Sequence, residues 1–171
     1  MPLLKDEKIV DDRWVRIDDD APMPPIGHVF VSLERWQAER EFLTIRGGVG
    51  IFLRPDDNPA DIADDLHHFA AIALDFPAFT DGRSYSNARL LRDRFGYTGE
   101  LRAVGDVLRD QYAFMLRCGF DAFAVPEGTR TEDWEQSAGA IRVTYQPGMA
   151  RGAAAMTLRH GRSVVADWSA H

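Results

Sequence analysis

Short strand-like and helix-like segments alternate between residues 78 and 125, with few residues between them. Residues 78–80 are typical of a strand end, and residues 88–95 repeat apolar side chains at helical spacing. The same pattern recurs further along the chain, at residues 101–104, 107–118 and 120–125. Strands separated by helices of about 10–15 residues indicate β-α-β units. The alternation therefore predicts an α/β fold, in which helices pack against a parallel sheet.

The sequence on either side extends this pattern. Residues 27–33 alternate apolar and polar side chains like a strand, and residues 34–42 are helix-prone. Asn58-Pro59 is typical of a helix start, and an apolar stripe continues that helix to Ala73. The expected core is a parallel sheet of four or five strands, at residues 49–53, 78–80, 101–104, 120–125 and 141–145. A complete eight-unit barrel needs a longer chain, so the sheet is either an incomplete, half-barrel-like one or an open one.

Composition divides the chain into three segments. Residues 1–25 predict an N-terminal arm, in which a short edge strand at 11–17 precedes an aspartate- and proline-rich linker. Residues 26–146 form the α/β domain, and residues 147–171 form a C-terminal tail. The arm and the tail carry apolar residues outside the repeats, namely Trp14, Val164, Val165 and Trp168. We expect these residues to cover a second copy of the chain in a homodimer.

Charge and composition exclude several classes of partner. A net charge of -7 argues against nucleic acid and against an anionic membrane surface. No apolar run approaches the roughly 20 residues of a membrane span, and the N-terminus lacks the apolar core of a signal peptide. We therefore expect a cytoplasmic protein. The single cysteine excludes an intrachain disulfide.

Polar side chains gather where the predicted strands end, which is where parallel α/β sheets bind ligands. Arg83 could hold an oxyanion through paired donors, and serine hydroxyls could add further hydrogen bonds. The predicted ligand site, for a small oxyanion, consists of Asp81, Arg83, Ser84, Ser86, Arg102 and Asp106. The competing interpretation is structural: Asp81 and the serines cap turns, Arg83 pairs with Asp106, and Asp106 is a helix N-cap.

No catalytic, metal or cofactor motif accompanies these residues. Cys118 has no second cysteine or adjacent histidine, which favours a packed, inert thiol. His67 and His68 lack the spacing of a helical metal pair. The glycine-rich segment 47–50 precedes a strand, which is the reverse of the dinucleotide-binding order. We expect no metal and no cofactor, and whether the protein is an enzyme stays open.

Three stretches together carry a family resemblance. They are Asp-Gly-Arg-Ser-Tyr-Ser at 81–86, Gly-Glu-Leu-Arg-Ala-Val-Gly-Asp-Val-Leu at 99–108 and Arg-Cys-Gly-Phe-Asp-Ala-Phe at 117–123. Across roughly residues 42–145 the chain resembles the bacterial proteins grouped as domain of unknown function 934. The resemblance implies a link to assimilatory sulfite reduction and transfers no catalytic residue.

Two functions follow as hypotheses. The first is an uncharacterised, non-redox accessory or binding protein, whose partner belongs to the sulfite reductase pathway. The alternative is a small enzyme that binds an oxyanion or a phosphorylated metabolite at the C-terminal ends of the strands.

Overall fold

A computed structural model of the protein describes residues 2–134. In that range one sheet is formed by eight strands: β1 (Leu3–Lys5), β2 (Lys8–Val10), β3 (Trp14–Arg16), β4 (His28–Ser32), β5 (Val49–Leu53), β6 (Ala71–Phe76), β7 (Glu100–Gly105) and β8 (Ala122–Ala124). The helices are α1 (Leu33–Arg46), α2 (Arg83–Arg89) and α3 (Tyr112–Cys118). Two 3-10 segments, Pro59–His68 and Arg109–Gln111, and a π-helical turn, Leu90–Arg94, complete the connections.

The strands are arranged in the order β2-β1-β8-β7-β6-β5-β4-β3. From β3 to β8 each strand pairs in parallel with the next one along the chain, which confirms an α/β fold built from β-α units. The sheet is mixed, however, because β1 pairs antiparallel with both β2 and β8. The prediction of a purely parallel sheet is therefore wrong at this edge.

The N-terminal hairpin explains that difference. Residues 1–25, expected as an arm, contribute β1, β2 and β3 to the sheet, with β3 at its edge. The β1–β2 turn places Asp6 and Glu7 at positive φ, a conformation that hairpin turns usually assign to glycine or asparagine. The sequence therefore carries no ordinary hairpin signal here, although Leu3 and Leu4 are buried.

The connection between β2 and β3 shows that the sheet curls. These strands lie at opposite edges of the sheet, yet Val10 ends one and Trp14 begins the other. The four residue-to-residue steps from Val10 to Trp14 span at most about 14 Å in a fully extended chain. A flat sheet with seven inter-strand spacings would separate its edges by about 34 Å. The sheet is therefore an incomplete, half-barrel-like one, whose edges approach each other.

The helices cover one face of the curled sheet. Strand side chains on that face form register neighbours, such as Ile51 opposite Ile72 and Ala103 opposite Phe123. They pack in one buried cluster with Trp36 and Leu43 of α1 and with residues of α2 and α3. We call the opposite face, which lies inside the curl, the inner face.

Small residues make room for aromatic rings on the inner face. Phe30 and Phe52 pack there with Ala71 and Ala73 in a second buried cluster. A Cβ atom on Gly50 would lie 2.6 Å from the Phe30 ring and 2.7 Å from the Ala71 carbonyl oxygen. The interior of the curl is thus filled by side chains.

One predicted strand is misplaced. Residues 78–80 form a turn, and the strand is β6, which lies within the segment that was predicted as the end of a helix. The preceding 3-10 segment begins as expected, since the Asn58 side chain accepts from Ala60 N, but it ends at His68. Both faces of β6 are buried, so its apolar residues are consecutive and also match a helical stripe.

Other expectations fall at or beyond the described range. Residues 131–134 are helical, as expected for the start of a helix there. The predicted strand at 141–145 and the tail at 147–171, with Val164, Val165 and Trp168, lie outside the described residues. None of the helices between residues 2 and 134 combines the length and apolar character of a membrane-crossing segment.

Candidate functional site

Most of the predicted site residues meet where the parallel strands end, which we call the carboxyl edge. Asp81, Arg83, Ser84 and Ser86 follow β6, and Asp106 follows β7. The two loops are joined directly, because the backbone nitrogen of Phe79 donates to the Asp106 carboxylate at 3.0 Å. The parallel pairing of β6 with β7 brings the loops together, since both strands point the same way.

The Arg83 guanidinium is bound by two carboxylates. Its Nε and Nη2 atoms contact Asp81 at 3.0 and 2.7 Å, and its Nη1 atom contacts Asp56. Hydrogen bonds from Arg83 lower the pKa of Asp81. Asp81 also accepts from the Arg83 backbone nitrogen at 3.1 Å, as a turn cap does. An oxyanion at Arg83 would therefore compete with carboxylates for the guanidinium donors.

The other predicted residues of this edge have different roles. The buried Ser84 hydroxyl donates to the carbonyl oxygen of Asp75, whereas Ser86 is exposed on α2. Asp106 does not cap α3, because the helical turns begin at Arg109 and its carboxylate holds Phe79 instead. The expected Arg83–Asp106 pair is replaced by the pairs with Asp81 and Asp56.

Arg102 lies apart from these residues, on the inner face. Its side chain is buried and forms salt bridges with Asp12 at 2.7 Å and with Glu100. The same guanidinium lies 5.6 Å from the Trp14 ring centroid and 5.2 Å from that of Phe30. Arg102 thus joins β7 to the connection between the edges of the sheet.

Phe79 is a feature of the carboxyl edge that sequence reasoning missed. Its backbone nitrogen donates to Asp106, and its carbonyl oxygen accepts from Gln111 Nε2 at 2.8 Å. Its side chain is nevertheless 54% exposed. Interpreting residues 78–80 as a strand concealed this loop, although an aromatic between Pro77 and Asp81 could have indicated it.

Further exposed apolar side chains flank Gln111 in the sequence, and the Gln111 side chain binds the Phe79 loop. Leu108 and Phe114 are 40% and 41% exposed, and they lie three residues before and after Gln111. The Phe114 ring packs edge-on against Tyr85, with centroids 4.9 Å apart. Burial raises the pKa of Tyr85 to about 12, so its hydroxyl stays protonated at neutral pH. We call Phe79, Tyr85, Leu108 and Phe114 the aromatic patch.

The surroundings of the aromatic patch are acidic. Among the described residues, the Gln111 Oε1 atom has no hydrogen-bond partner. Arg109 lies 3.9 Å from the highly exposed Asp110. The Arg117 guanidinium lies 5.3 Å from the Phe114 ring centroid. The flanking charges are four carboxylates and three guanidinium groups, from Asp56, Asp81, Asp106, Asp110, Arg83, Arg109 and Arg117. The rim therefore carries net negative charge and attracts cationic groups.

A second group of charged residues lies where the inner face meets the carboxyl edge. Burial raises the pKa of Asp75, while the positive charges of Arg16 and Arg54 oppose that shift. The Arg16 guanidinium lies 3.7 Å above the Phe52 ring centroid. This arrangement could hold an anion at Arg16. Sequence reasoning missed it, because β6 was interpreted as a helix end.

Comparison with known protein families gives one match, which includes the carboxyl edge. Residues 50–156 match the model of the family described as "Bacterial protein of unknown function (DUF934)", over more than half of the chain. The protein belongs to the DUF934 family. Searches of curated proteins and of solved structures gave no match. The function of this DUF934 protein must therefore be argued from its site.

The histidine, cysteine and acidic side chains in the described part of this DUF934 protein are the groups that could bind a metal ion or react as a thiol. Between residues 2 and 134, no three histidine, cysteine or acidic side chains are placed to hold a metal ion. Cys118 is completely buried, and burial raises the pKa of its thiol. The His68 ring packs against Trp36 and His67.

Proposed function

We propose that this protein is an accessory binding protein, and that its aromatic patch docks a basic surface of another protein. The proposed partner is a protein of the assimilatory sulfite reductase pathway, a context that rests on the family resemblance. The observation that carries the binding role is Phe79, whose backbone is held by Asp106 and Gln111 while its ring stays exposed.

A fixed, exposed aromatic side chain is well suited to anchor a protein interface. Binding then orders few additional torsions, so less of the contact energy is lost to conformational entropy. Aromatic anchors surrounded by weaker contacts contribute most of the affinity in many interfaces. In this protein Leu108 and Phe114 would supply those surrounding contacts.

The charge of the rim favours a basic partner. The aromatic patch is surrounded by net negative charge, so a second copy of the chain would meet like charge there. We therefore expect association that weakens as the salt concentration rises.

A binding experiment with matched variants tests this proposal. The probe is sulfite reductase purified from the same source, titrated with the full-length protein by calorimetry. Phe79→Gln should weaken binding at least about tenfold, as expected for an anchor residue. Val15→Gln is the control, because Val15 is 58% exposed and lies on the edge strand β3. Equal affinities for the two variants would contradict the role of the aromatic patch.

A growth experiment tests the pathway. A deletion strain should fail on sulfate and on sulfite as sole sulfur source, and should grow on sulfide and on cysteine. Complementation by the Phe79→Gln variant should be weaker than by the unaltered gene. Normal growth of the deletion strain on sulfite would remove the link to sulfite reduction.

A small enzyme that binds an oxyanion or a phosphorylated metabolite is the second candidate. It is favoured by the position of Arg16, above Phe52 and near the half-buried Asp75. Calorimetric titration with sulfite, sulfate and phosphate tests it. Arg16→Ala examines this group, and Arg83→Ala examines the site predicted from the sequence. Loss of a measured anion affinity in either variant supports the candidate, and absence of anion binding by the unaltered protein excludes it.

A further inference from the structure

We infer that a second apolar surface, at the opposite end of the sheet, binds a second copy of this chain. It consists of Ile26, Phe42 and Ile45, which we call the amino-edge patch. Ile26 and Ile45 are 84% and 87% exposed, and Phe42 is 53% exposed. Because α1 runs back from the end of β4 to the start of β5, its last turns lie at the amino ends of the strands.

The patch has a defined geometry. Phe42 and Ile45 lie one helical turn apart, so their side chains are neighbours on the surface of α1. Both follow Glu39, where the backbone departs from helical geometry at φ -116 and ψ 23. The last turns of α1 thus form a short segment of their own, with Phe42 and Ile45 turned toward solvent.

Arg46 attaches the loop that carries Ile26 to the same end of the helix. Its Nε and Nη2 atoms donate to the Pro24 carbonyl oxygen at 3.2 and 3.0 Å, and Nη2 also donates to that of Gly27 at 3.0 Å. Ile26 lies between these two residues in the sequence. The exposed isoleucines are therefore presented on a braced part of the surface.

These side chains take no part in the core that residues 2–134 form. α1 already buries Trp36 and Leu43, at 1% and 0% exposure, against the sheet. Grouped apolar residues in such exposed positions usually mark an interaction surface. Trp14, which was expected in the dimer contact, stacks on His28 and Phe30 of its own chain instead.

Charge balance favours a second copy as the occupant of the amino-edge patch. A twofold contact places a surface against itself, so it requires charges of both signs or none. The helix segment around the patch carries Glu39 and Glu41 together with Arg40 and Arg46. The aromatic patch has a net negative rim, which would repel a second copy.

The size of the patch limits the strength of the expected contact. Three large side chains make a patch well below the roughly 800 Å² per partner of a standard interface. We therefore expect a weak dimer, with a dissociation constant on the order of micromolar.

Sedimentation equilibrium of the full-length protein tests this inference. The unaltered protein should shift from monomer to dimer as its concentration rises through the micromolar range. Ile45→Glu should raise the dissociation constant at least about tenfold, since it places like charges against each other. Phe42→Gln should act in the same direction, while Phe79→Gln, at nearly equal exposure, should leave the dimer intact.

Two results would overturn the inference. One is an unaltered protein that stays monomeric up to about a hundred times the expected micromolar constant. The other is a dimer that Ile45→Glu leaves unchanged, or that Phe79→Gln weakens as much. Circular dichroism melting controls for folding, because replacing a side chain as exposed as Ile45 should leave the melting temperature nearly unchanged.

Discussion

Asp12 and Arg102 are 90 residues apart in the sequence and form a 2.7 Å salt bridge on the inner face of the sheet. Asp12 belongs to the short connection between the two edges, and Arg102 belongs to β7. Glu100, which also binds Lys5 of β1, is the second carboxylate on Arg102. These charged contacts hold the connection and the N-terminal hairpin against the middle of the sheet.

Replacing Arg102 should therefore destabilise the fold. Arg102→Ala leaves Asp12 without its partner and leaves Glu100 paired with Lys5 alone, so we expect a loss of about 1–3 kcal/mol in the free energy of unfolding. Urea unfolding measures this loss. Arg109→Ala removes an exposed pair and should cost less than about 0.5 kcal/mol. A loss below about 1 kcal/mol for Arg102→Ala would show that the network contributes little.

Gly50 should not tolerate a methyl group. In Gly50→Ala the added Cβ would press on the Phe30 ring and the Ala71 carbonyl, so we expect destabilisation by about 1–3 kcal/mol. Gly82→Ala is the control, because its added Cβ meets only Tyr85, at 4.0 Å, and its φ of -87 suits alanine. Thermal melts of both variants check the prediction, and equal melting temperatures would contradict tight packing on the inner face.

Asp75 should make stability fall as the pH rises. Burial raises the pKa of Asp75, so the folded protein holds this proton more tightly than the unfolded chain. The resulting penalty is absent below the ordinary aspartate pKa of about 3.9, grows as the pH rises, and is complete above the raised pKa. Asp75→Asn should therefore be more stable than the unaltered protein at neutral pH, and the difference should vanish in acid.

Asp81 provides the opposite case. Urea unfolding at a series of pH values measures the stability of both variants. Arg83 lowers the pKa of Asp81, so its contribution is present above the ordinary aspartate pKa and is lost as the pH falls through the lowered value. Asp81→Asn should thus reduce stability at neutral pH and have little effect in strong acid. If Asp75→Asn lowers stability at neutral pH, as Asp81→Asn should, the assignment for Asp75 is wrong.

Cys118 should react with thiol reagents only after unfolding. Its side chain is fully buried, and burial raises its pKa, which lowers the thiolate fraction at neutral pH. We expect labelling by a disulfide reagent to be at least about a hundredfold slower in the native protein than in concentrated urea. Rapid labelling of the native protein would indicate that the region around α3 opens readily.

Much of the carboxyl edge could be predicted from the sequence, because parallel strands place successive exit loops together. That rule brought Asp81, Arg83, Ser84, Ser86 and Asp106 to one edge. It could not identify Asp56 as a partner of Arg83, since the two are 27 residues apart in different loops. Arg102 was misplaced for a related reason: the alternation of side chains along β7 turns it to the inner face.

The sequence by itself determined the elements whose signals are local. The apolar run of β5 and the Asn58 cap of the following 3-10 segment depend on residues a few positions apart, and both are observed as predicted. Only the tertiary structure decided that Ala71–Phe76 is a strand, because its consecutive apolar residues fit a helix and a strand equally well until both faces are buried. The curl also depended on tertiary contacts: strands far apart in the sequence set the order of the sheet, and a short connection then joins its opposite edges.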